Sequence, residues 1–319
     1  MRSSETVLSR LAESLYWIGR YVERADDTAR ILDSYVHRMV EDPLNDENEA
    51  CRSLYSILGM DPGVEGPITV TDALESIAYD DANPSSIAGA LYGAYQNARR
   101  SRDVISSEMW VALNATQLEL AHAEATSRRL GPATYLAYVR ERTALFTGLT
   151  DSTLSRDDGW RFLTLGQCVE RVDMTARLLR ARAVSDEHAP DWLAFLRASG
   201  AMEAYMRSTS RLGDANGIAA FLLLDRIFPR SCLFALNRAD ALVVELQPDH
   251  QRIAAVDHVR QSIARARATL EFVDAQHVLS QLGDLLELLE LTCLRLDDAI
   301  TERFFHRDAI VNWHSEGAT

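Results

Sequence analysis

Apolar residues recur at three- and four-residue intervals from the start of the chain. Leu8, Leu11, Leu15, Ile18, Val22, Ala25, Ala29 and Leu32 form one stripe, which predicts a single long helix over about 6–40. The acidic, proline-containing run at 41–46 ends it. Shorter helices are predicted over about 50–58 and 71–80, separated by a Gly/Pro-rich stretch at 59–67. Asn83-Pro84-Ser85-Ser86 predicts an N-cap with a proline at the first helical position, opening a helix that runs to about Ser127. Gly131-Pro132 breaks the pattern, and a further helix follows over about 133–150. A capping cluster, Ser155-Arg156-Asp157-Asp158, opens the second half. Short helices are predicted there over about 192–197 and 201–212, then two long ones over about 251–274 and 275–306, with a frayed end from about Asn312.

The polar positions carry a second pattern. Ile18-Gly-Arg-Tyr-Val-Glu-Arg-Ala-Asp-Asp-Thr-Ala-Arg-Ile-Leu32 returns 147 residues later as Leu165-Gly-Gln-Cys-Val-Glu-Arg-Val-Asp-Met-Thr-Ala-Arg-Leu-Leu179. The matches include Gly19/Gly166, Glu23/Glu170, Arg24/Arg171, Asp26/Asp173, Thr28/Thr175 and Arg30/Arg177, an ordered set of charges that helical composition alone would not repeat. A second landmark, Asp80-x3-Pro84-x-Ser86-x3-Ala90-Leu91, aligns with Asp225-x3-Pro229-x-Ser231-x3-Ala235-Leu236 at a shift of 145. Two landmarks at nearly one offset predict a tandem duplication. The expected architecture is all-α: two similar helical bundles, 1–152 and 153–319, related by a pseudo-twofold axis, with the motif helices meeting across it.

On a helix turning 100° per residue, Gly19, Glu23, Asp26 and Arg30 fall within about 60° of one another, beside the apolar sector of Val22, Ala25, Ala29 and Leu32. Gly166, Glu170, Asp173 and Arg177 repeat the stripe beside Val169, Val172, Ala176 and Leu179. Asp26/Arg30 and Asp173/Arg177 have the i,i+4 spacing that allows pairing within a helix. Arg24 and Arg171 point about 100° away from their neighbouring glutamates, so a Glu-Arg dipeptide cannot share one partner on one face. Two readings follow: an interhelical ion-pair network in which glycine permits close approach, or a carboxylate/guanidinium pocket gripping a charged substrate or partner. A second polar cluster, Asn97, Arg99, Arg102, Ser106, Ser107, Glu108, Trp110 and Asn114, follows the Asn-Pro-Ser-Ser landmark. Arg99, Arg102 and Ser106 have the spacing of one helix face, although Arg and Glu at such spacings more often form a solvated, salt-bridged surface.

Composition narrows the chemistry. Hydrophobic content of 47% with only 15 Gly and 8 Pro in 319 residues favours a helical globular protein over a turn-rich β protein. A net charge of −14 works against non-specific nucleic-acid binding and against docking on anionic lipid. All 33 basic residues are arginine, which removes any Walker-type, Schiff-base or catalytic lysine. Cys51, Cys168, Cys232 and Cys293 are far apart with no C-x-x-C pair, Cys232 and Cys293 in apolar surroundings. The N-terminus lacks a signal-peptide core, and the longest apolar run, 218–224, is too short to span a bilayer. A cytoplasmic protein is expected.

A di-metal carboxylate site needs Glu-x-x-His from two helices. Glu119-x-x-His122 is one candidate and Asp274-x-x-His277 a weaker one, but Asp replaces Glu and their separation of 155 does not match the repeat. No metal, no cofactor and no ATP site is assigned, because no Walker, Rossmann or G-x-S-x-G pattern occurs.

The segments Tyr16-Trp-Ile-Gly-Arg-Tyr-Val-Glu-Arg-Ala-Asp26, Asn83-Pro-Ser-Ser-Ile87 and Ser106-Ser-Glu-Met-Trp110 resemble the alpha-E family of bacterial helical proteins, named for a Glu-Arg motif. Leu165-Gly-Gln-Cys-Val-Glu-Arg-Val-Asp173 and Phe228-Pro-Arg-Ser231 extend the resemblance into the second half, although the latter departs from Asn83-Pro-Ser-Ser. The resemblance implies a partner role beside a circularly permuted ATP-grasp protein, with a transglutaminase-like protein as a second candidate, in amide or peptide-bond synthesis. The residues expected to hold substrate or partner are Glu23, Arg24, Asp26, Arg30, Glu170, Arg171, Asp173, Arg177, Arg99, Arg102 and Glu108; no catalytic residue is assigned. A stand-alone enzyme using the Glu/Arg centre for acid–base chemistry on a small amide or amino acid is the first alternative, a structural helical scaffold the second. Self-association into a homo-oligomer stays open.

Overall fold

A computed structural model of the chain describes residues 2–41, 46–63, 65–183, 192–209, 214–246 and 257–305. Every regular element among them is helical. In chain order they are α1 Arg2–Glu41, α2 Glu47–Leu58, α3 Val70–Leu74 with a π-helical turn Glu75–Tyr79, α4 Ile87–Arg100, α5 Ser107–Leu130 and α6 Ala133–Thr153. There follow α7 Asp158–Ala183, α8 Trp192–Ala198, α9 Met202–Ser208, α10 Ala215–Leu224, α11 Cys232–Glu245 and α12 His258–Glu271. A 3₁₀ turn Val278–Gln281, α13 Leu282–Ile300 and a π-helical turn Thr301–Phe305 complete the described chain.

The first long helix and most of the shorter ones lie where the apolar period places them, but three expectations need correction. The helix expected from the Asn-Pro-Ser-Ser landmark to Ser127 is two helices, because the chain turns at 101–106 before Ser106 caps α5, accepting from the Met109 N–H at 3.1 Å. Pro84 lies before the helix rather than in its first turn. Ser86 is the N-cap: its hydroxyl accepts from the Gly89 N–H at 2.9 Å and donates to the Asp80 carbonyl. The helix expected over 275–306 starts later and is flanked by tight and wide turns. Helix α10, whose run Ile218–Leu224 is apolar on every side, carries no amphipathic period that would predict it, as a largely buried helix does not. The expected beginning of a helix at Gln251, the end of another at Leu212 and the frayed terminus from Asn312 fall outside the described residues, as does the side chain of Leu8.

Helices α1 and α7 are the axis of the molecule. Their packing against each other is the most extensive between any two elements, and each then gathers a matching set of neighbours. Helix α1 packs on α4, α6 and α8; α7 packs on α11, α13 and α2. Helices α4, α5 and α6 pack in sequence, and so do α11, α12 and α13. One buried cluster joins Leu15, Ile18 and Val22 of α1 to Leu163, Val169 and Val172 of α7 and to α10–α13. A second joins Ala25, Ala29 and Leu32 of α1 to α2–α6 and to Met174 and Leu178 of α7. Both motif helices therefore run through both cores. No described helix is long and apolar enough to cross a membrane.

Candidate functional site

The close approach of α1 and α7 depends on the two motif glycines. A Cβ built on Gly19 would stand 2.0 Å from the Leu163 carbonyl oxygen, and one on Gly166 would stand 2.1 Å from the Tyr16 carbonyl oxygen. In both cases the obstacle is backbone, which cannot rotate away. With the axes this close, polar side chains one turn beyond each glycine must find their partners on the opposite helix.

They do so reciprocally. Arg24 donates from Nε and Nη2 to the two carboxylate oxygens of Glu170, at 2.5 and 3.0 Å. Arg171 donates from the same two nitrogens to Glu23, both at 2.7 Å. The remaining Nη1 of each guanidinium turns to a carbonyl: Pro84 for Arg24 at 3.4 Å, Pro229 for Arg171 at 3.1 Å. So the two sequence landmarks meet at one place. Each Pro-x-Ser loop offers a main-chain acceptor to the arginine of its own half, and that arginine grips the glutamate of the other half. The angular separation of glutamate and arginine within each dipeptide is what lets one helix give and receive at once.

The repeated set also forms pairs along each helix. Arg30 Nε donates to Asp26 at 2.8 Å, and Arg177 Nε lies 3.0 Å from Asp173 without hydrogen-bond alignment. Glu23 and Glu170 are 3% and 1% exposed, far more enclosed than a stripe at the border of a packed face suggests. Arg30 emerges into a surface cavity of about 430 Å³ shared with Asp33, Arg140, Arg197 and Glu203.

This chain belongs to the Alpha-E family. The family, described as a predicted alpha-helical domain with a conserved ER motif, matches residues 7–305. An uncharacterized protein of Mycobacterium bovis and one of Mycobacterium tuberculosis are each 25% identical over 92% of this chain. The match takes up 36% of those relatives, so the chain spans about a third of their length. No solved structure matches.

Around the Alpha-E motif lie further charged residues that the repeat did not single out. Arg20 donates to Glu170 and to Asp297 of α13, adding a second guanidinium to that glutamate. Arg230, from the loop before α11, donates to Asp27 and Asp26 and lies 3.3 Å from Glu23. Arg20, Asp27 and Arg230 each stand at a position where the copies differ in charge. Arg20 corresponds to Gln167, whose side-chain nitrogen has no hydrogen-bond partner among the described residues. Asp27 corresponds to Met174, and Arg230 to Ser85. Asp27 and Arg230 thus add an ion pair beside Glu23 that Met174 and Ser85 cannot form, and Arg20 adds a guanidinium beside Glu170 that Gln167 cannot supply on the other helix. The signal was present in the sequence as the departure of Phe228-Pro-Arg-Ser from Asn83-Pro-Ser-Ser.

The asymmetry appears in the proton affinities. Burial works to raise the Glu170 carboxyl, but Arg20 and Arg24 outweigh it and hold it at about 2. Burial likewise opposes ionisation of Asp26, and Arg230 and Arg30 again win, so its pKa is lowered. Asp173 has Arg177 but no counterpart of Arg230; there burial prevails and its pKa is raised. Asp27 is pushed up to about 7 by burial, against Arg230 and with Glu23 and Asp26 adding to the rise.

The second polar cluster lies apart from this centre. Arg99, Arg102 and Glu108 are exposed around the α4–α5 junction; the turn at 101–106 means that Arg99, Arg102 and Ser106 do not share a helix face. Arg102 sits 4.7 Å from the centroid of the Trp110 ring, and Glu108 accepts from the Ser107 hydroxyl at 3.1 Å. Of the two rejected metal pairs, Asp274 and His277 form an exposed contact at 2.7 Å, while Glu119 accepts from the Tyr138 hydroxyl at 3.2 Å. All four cysteines are free and buried.

Proposed function

We propose that this Alpha-E chain is a non-catalytic accessory module of an amide- or peptide-bond-forming system, working with a circularly permuted ATP-grasp protein. In this reading the Glu-Arg centre holds the module's own motif helices together. A partner meets only its outer edge, where Arg24, Arg30 and Arg177 remain partly exposed. The observation that carries the reading is that both oxygens of Glu23 and of Glu170 are already taken by guanidinium groups. With its carboxyl held at about 2, Glu170 is far from the neutral range that general acid–base catalysis favours. The stand-alone enzyme is therefore the weaker reading. The longer relatives support a modular role, since a unit that fills a third of a larger chain has covalent neighbours to work with.

We also infer a tandem duplication, with halves 1–152 and 153–319 about a pseudo-twofold axis. Support comes from the reciprocal Glu-Arg pairs, the Pro84 and Pro229 acceptors, and the matching Ser86–Asp80 and Ser231–Asp225 caps. Four buried thiols fit a reducing compartment, and we place the protein in the cytoplasm.

The test is co-expression with an ATP-grasp protein and, separately, a transglutaminase-like protein of the same genome. A stable complex with the first, and ATP-dependent amide formation only when both chains are present, is expected. Turnover of an amide or amino-acid substrate by this chain alone, lost in a folded Glu170→Gln variant, would establish the enzyme reading instead.

A further inference from the structure

Between residues 10–21 of α1 and the end of α4 lies an open cavity of about 720 Å³, within the size range of small-molecule sites. Among the described residues its lining includes Arg10, Glu13, Trp17, Tyr21, Asn97 and Arg100. Arg10 and Arg100 are exposed and have no ion-pair partner among the described residues, unlike the arginines of the Glu-Arg centre. The floor, in contrast, is held in place. The rings of Trp17 and Tyr21 lie 5.5 Å apart at 32°. Arg20 stands 5.6 Å from the Trp17 ring centroid and Arg24 5.6 Å from that of Tyr21. Both guanidiniums are themselves fixed on Glu170. Gly93 of α4 lets the Tyr21 ring lie against the helix, since a Cβ there would come within 2.9 Å of it. A rigid aromatic floor with free charges at its rim is a preorganised surface.

The second copy is built differently at this place. At the repeat offsets, Trp17 and Tyr21 correspond to Thr164 and Cys168, Arg10 to Asp157, and Arg100 to Glu245. Glu245 is engaged by Arg161 at 2.9 Å, and Cys168 is buried. Glu13 corresponds to Trp160, a buried ring flanked by Arg156 and Arg238, so the aromatic of the second copy is packed away while Trp17 and Tyr21 line an open cavity beside a carboxylate.

We propose that this cavity binds a dicarboxylic amino acid or a short peptide that carries one. Its two free guanidiniums and one carboxylate, Glu13, mirror a ligand with two carboxylates and one ammonium. Each arginine offers a planar fork that matches a carboxylate. Glu13, with the faces of Trp17 and Tyr21, receives the ammonium, and Asn97 supplies a side-chain amide to the peptide unit. Glu13 also disfavours a simple polyanion. The proposal does not depend on the ligase partnership, and its test requires no ligase.

The probe is L-alanyl-L-glutamate, titrated into the ¹⁵N-labelled full chain while the indole N–H resonances are followed, with that of Trp17 assigned by Trp17→Phe. A saturable shift confined to the Trp17 signal is expected at millimolar concentration, leaving the buried Trp192 signal unmoved. L-Alanyl-L-glutamine, which lacks one carboxylate, and N-acetyl-L-alanyl-L-glutamate, which lacks the ammonium, each bind at least tenfold more weakly. Arg10→Gln with Arg100→Gln weakens the parent probe at least tenfold; both side chains are exposed, and an unchanged melting temperature checks that the fold is intact. No saturable shift at about 10 mM overturns the proposal, since that affinity corresponds to under about 3 kcal/mol of binding. So does equal affinity for the three peptides, full displacement by equimolar inorganic phosphate, or binding unaffected by loss of both arginines in the folded variant.

Discussion

Arg171 on α7 holds both carboxylate oxygens of Glu23 on α1, each at 2.7 Å, while its third nitrogen donates to the Pro229 carbonyl. Arg24 does the same for Glu170 and Pro84. The Glu-Arg dipeptide is consequently a two-way connector: its glutamate receives from the other motif helix and its arginine donates to it. Such paired forks fix the register of two helices, whatever their net contribution to stability.

The glycines make that register possible, and their replacement is expected to be costly. Gly19→Ala or Gly166→Ala forces the helices apart, because the new methyl group meets a carbonyl oxygen at 2.0 or 2.1 Å. Each is predicted to lower unfolding free energy by about 3 kcal/mol. Gly148→Ala, on an exposed face of α6 with nothing within 4 Å, is predicted to raise it by about 0.5 kcal/mol. Urea titrations of the three variants check the contrast, and equal effects would show that the crossing is not tight.

The differences between the copies predict a coupled pair. Arg230→Ser leaves Asp27 enclosed without its main counter-charge and is predicted to cost about 3 kcal/mol. Asp27→Met leaves Arg230 with Asp26 and Glu23 and costs less. The double variant installs the residues found at the corresponding positions, Met174 and Ser85, and recovers at least about 1 kcal/mol relative to the sum of the singles. Additivity in denaturant unfolding would show that Asp27 and Arg230 do not act together.

Much of this was legible in the sequence, and the gaps have physical causes. The repeat marked the two motif helices, and the wheel correctly separated Glu23 from Arg24 and paired Asp26 with Arg30. What a wheel cannot supply is the partner on another helix. The exchange of Glu23 with Arg171 depends on how near the axes come, which Gly19 and Gly166 set only once the helices are crossed. Arg230 lies in the loop whose sequence departs from Asn83-Pro-Ser-Ser, but its role follows only from the fold, which brings this loop onto Asp26 and Asp27 of α1. Helix α10 escaped because burial on all sides erases the period that reveals a helix. The turn at 101–106 escaped because the run Arg99-Arg100-Ser101-Arg102-Asp103 contains neither Gly nor Pro.

Acid should loosen the crossing through Glu170. Its carboxyl titrates near 4.5 in an ordinary setting and at about 2 in the fold. A depressed carboxyl binds fewer protons folded than unfolded, so its contribution is complete above about 4.5 and is lost as pH falls toward 2. The size is on the order of 3 kcal/mol. Stability measured at pH 7 and pH 3 for the wild type and Glu170→Gln should show a gap that narrows in acid. A gap independent of pH would mean that Glu170 is not held as an anion by Arg20 and Arg24.

The most direct test is a double-mutant cycle on Glu23 and Arg171, using Glu23→Ala, Arg171→Ala and the double variant in equilibrium unfolding. If the Glu-Arg centre is the internal clamp between α1 and α7, the coupling energy is about 2 kcal/mol or more. A coupling below about 0.5 kcal/mol, the value of an exposed ion pair, with all variants folded would contradict it and return the centre to the role of an open binding site.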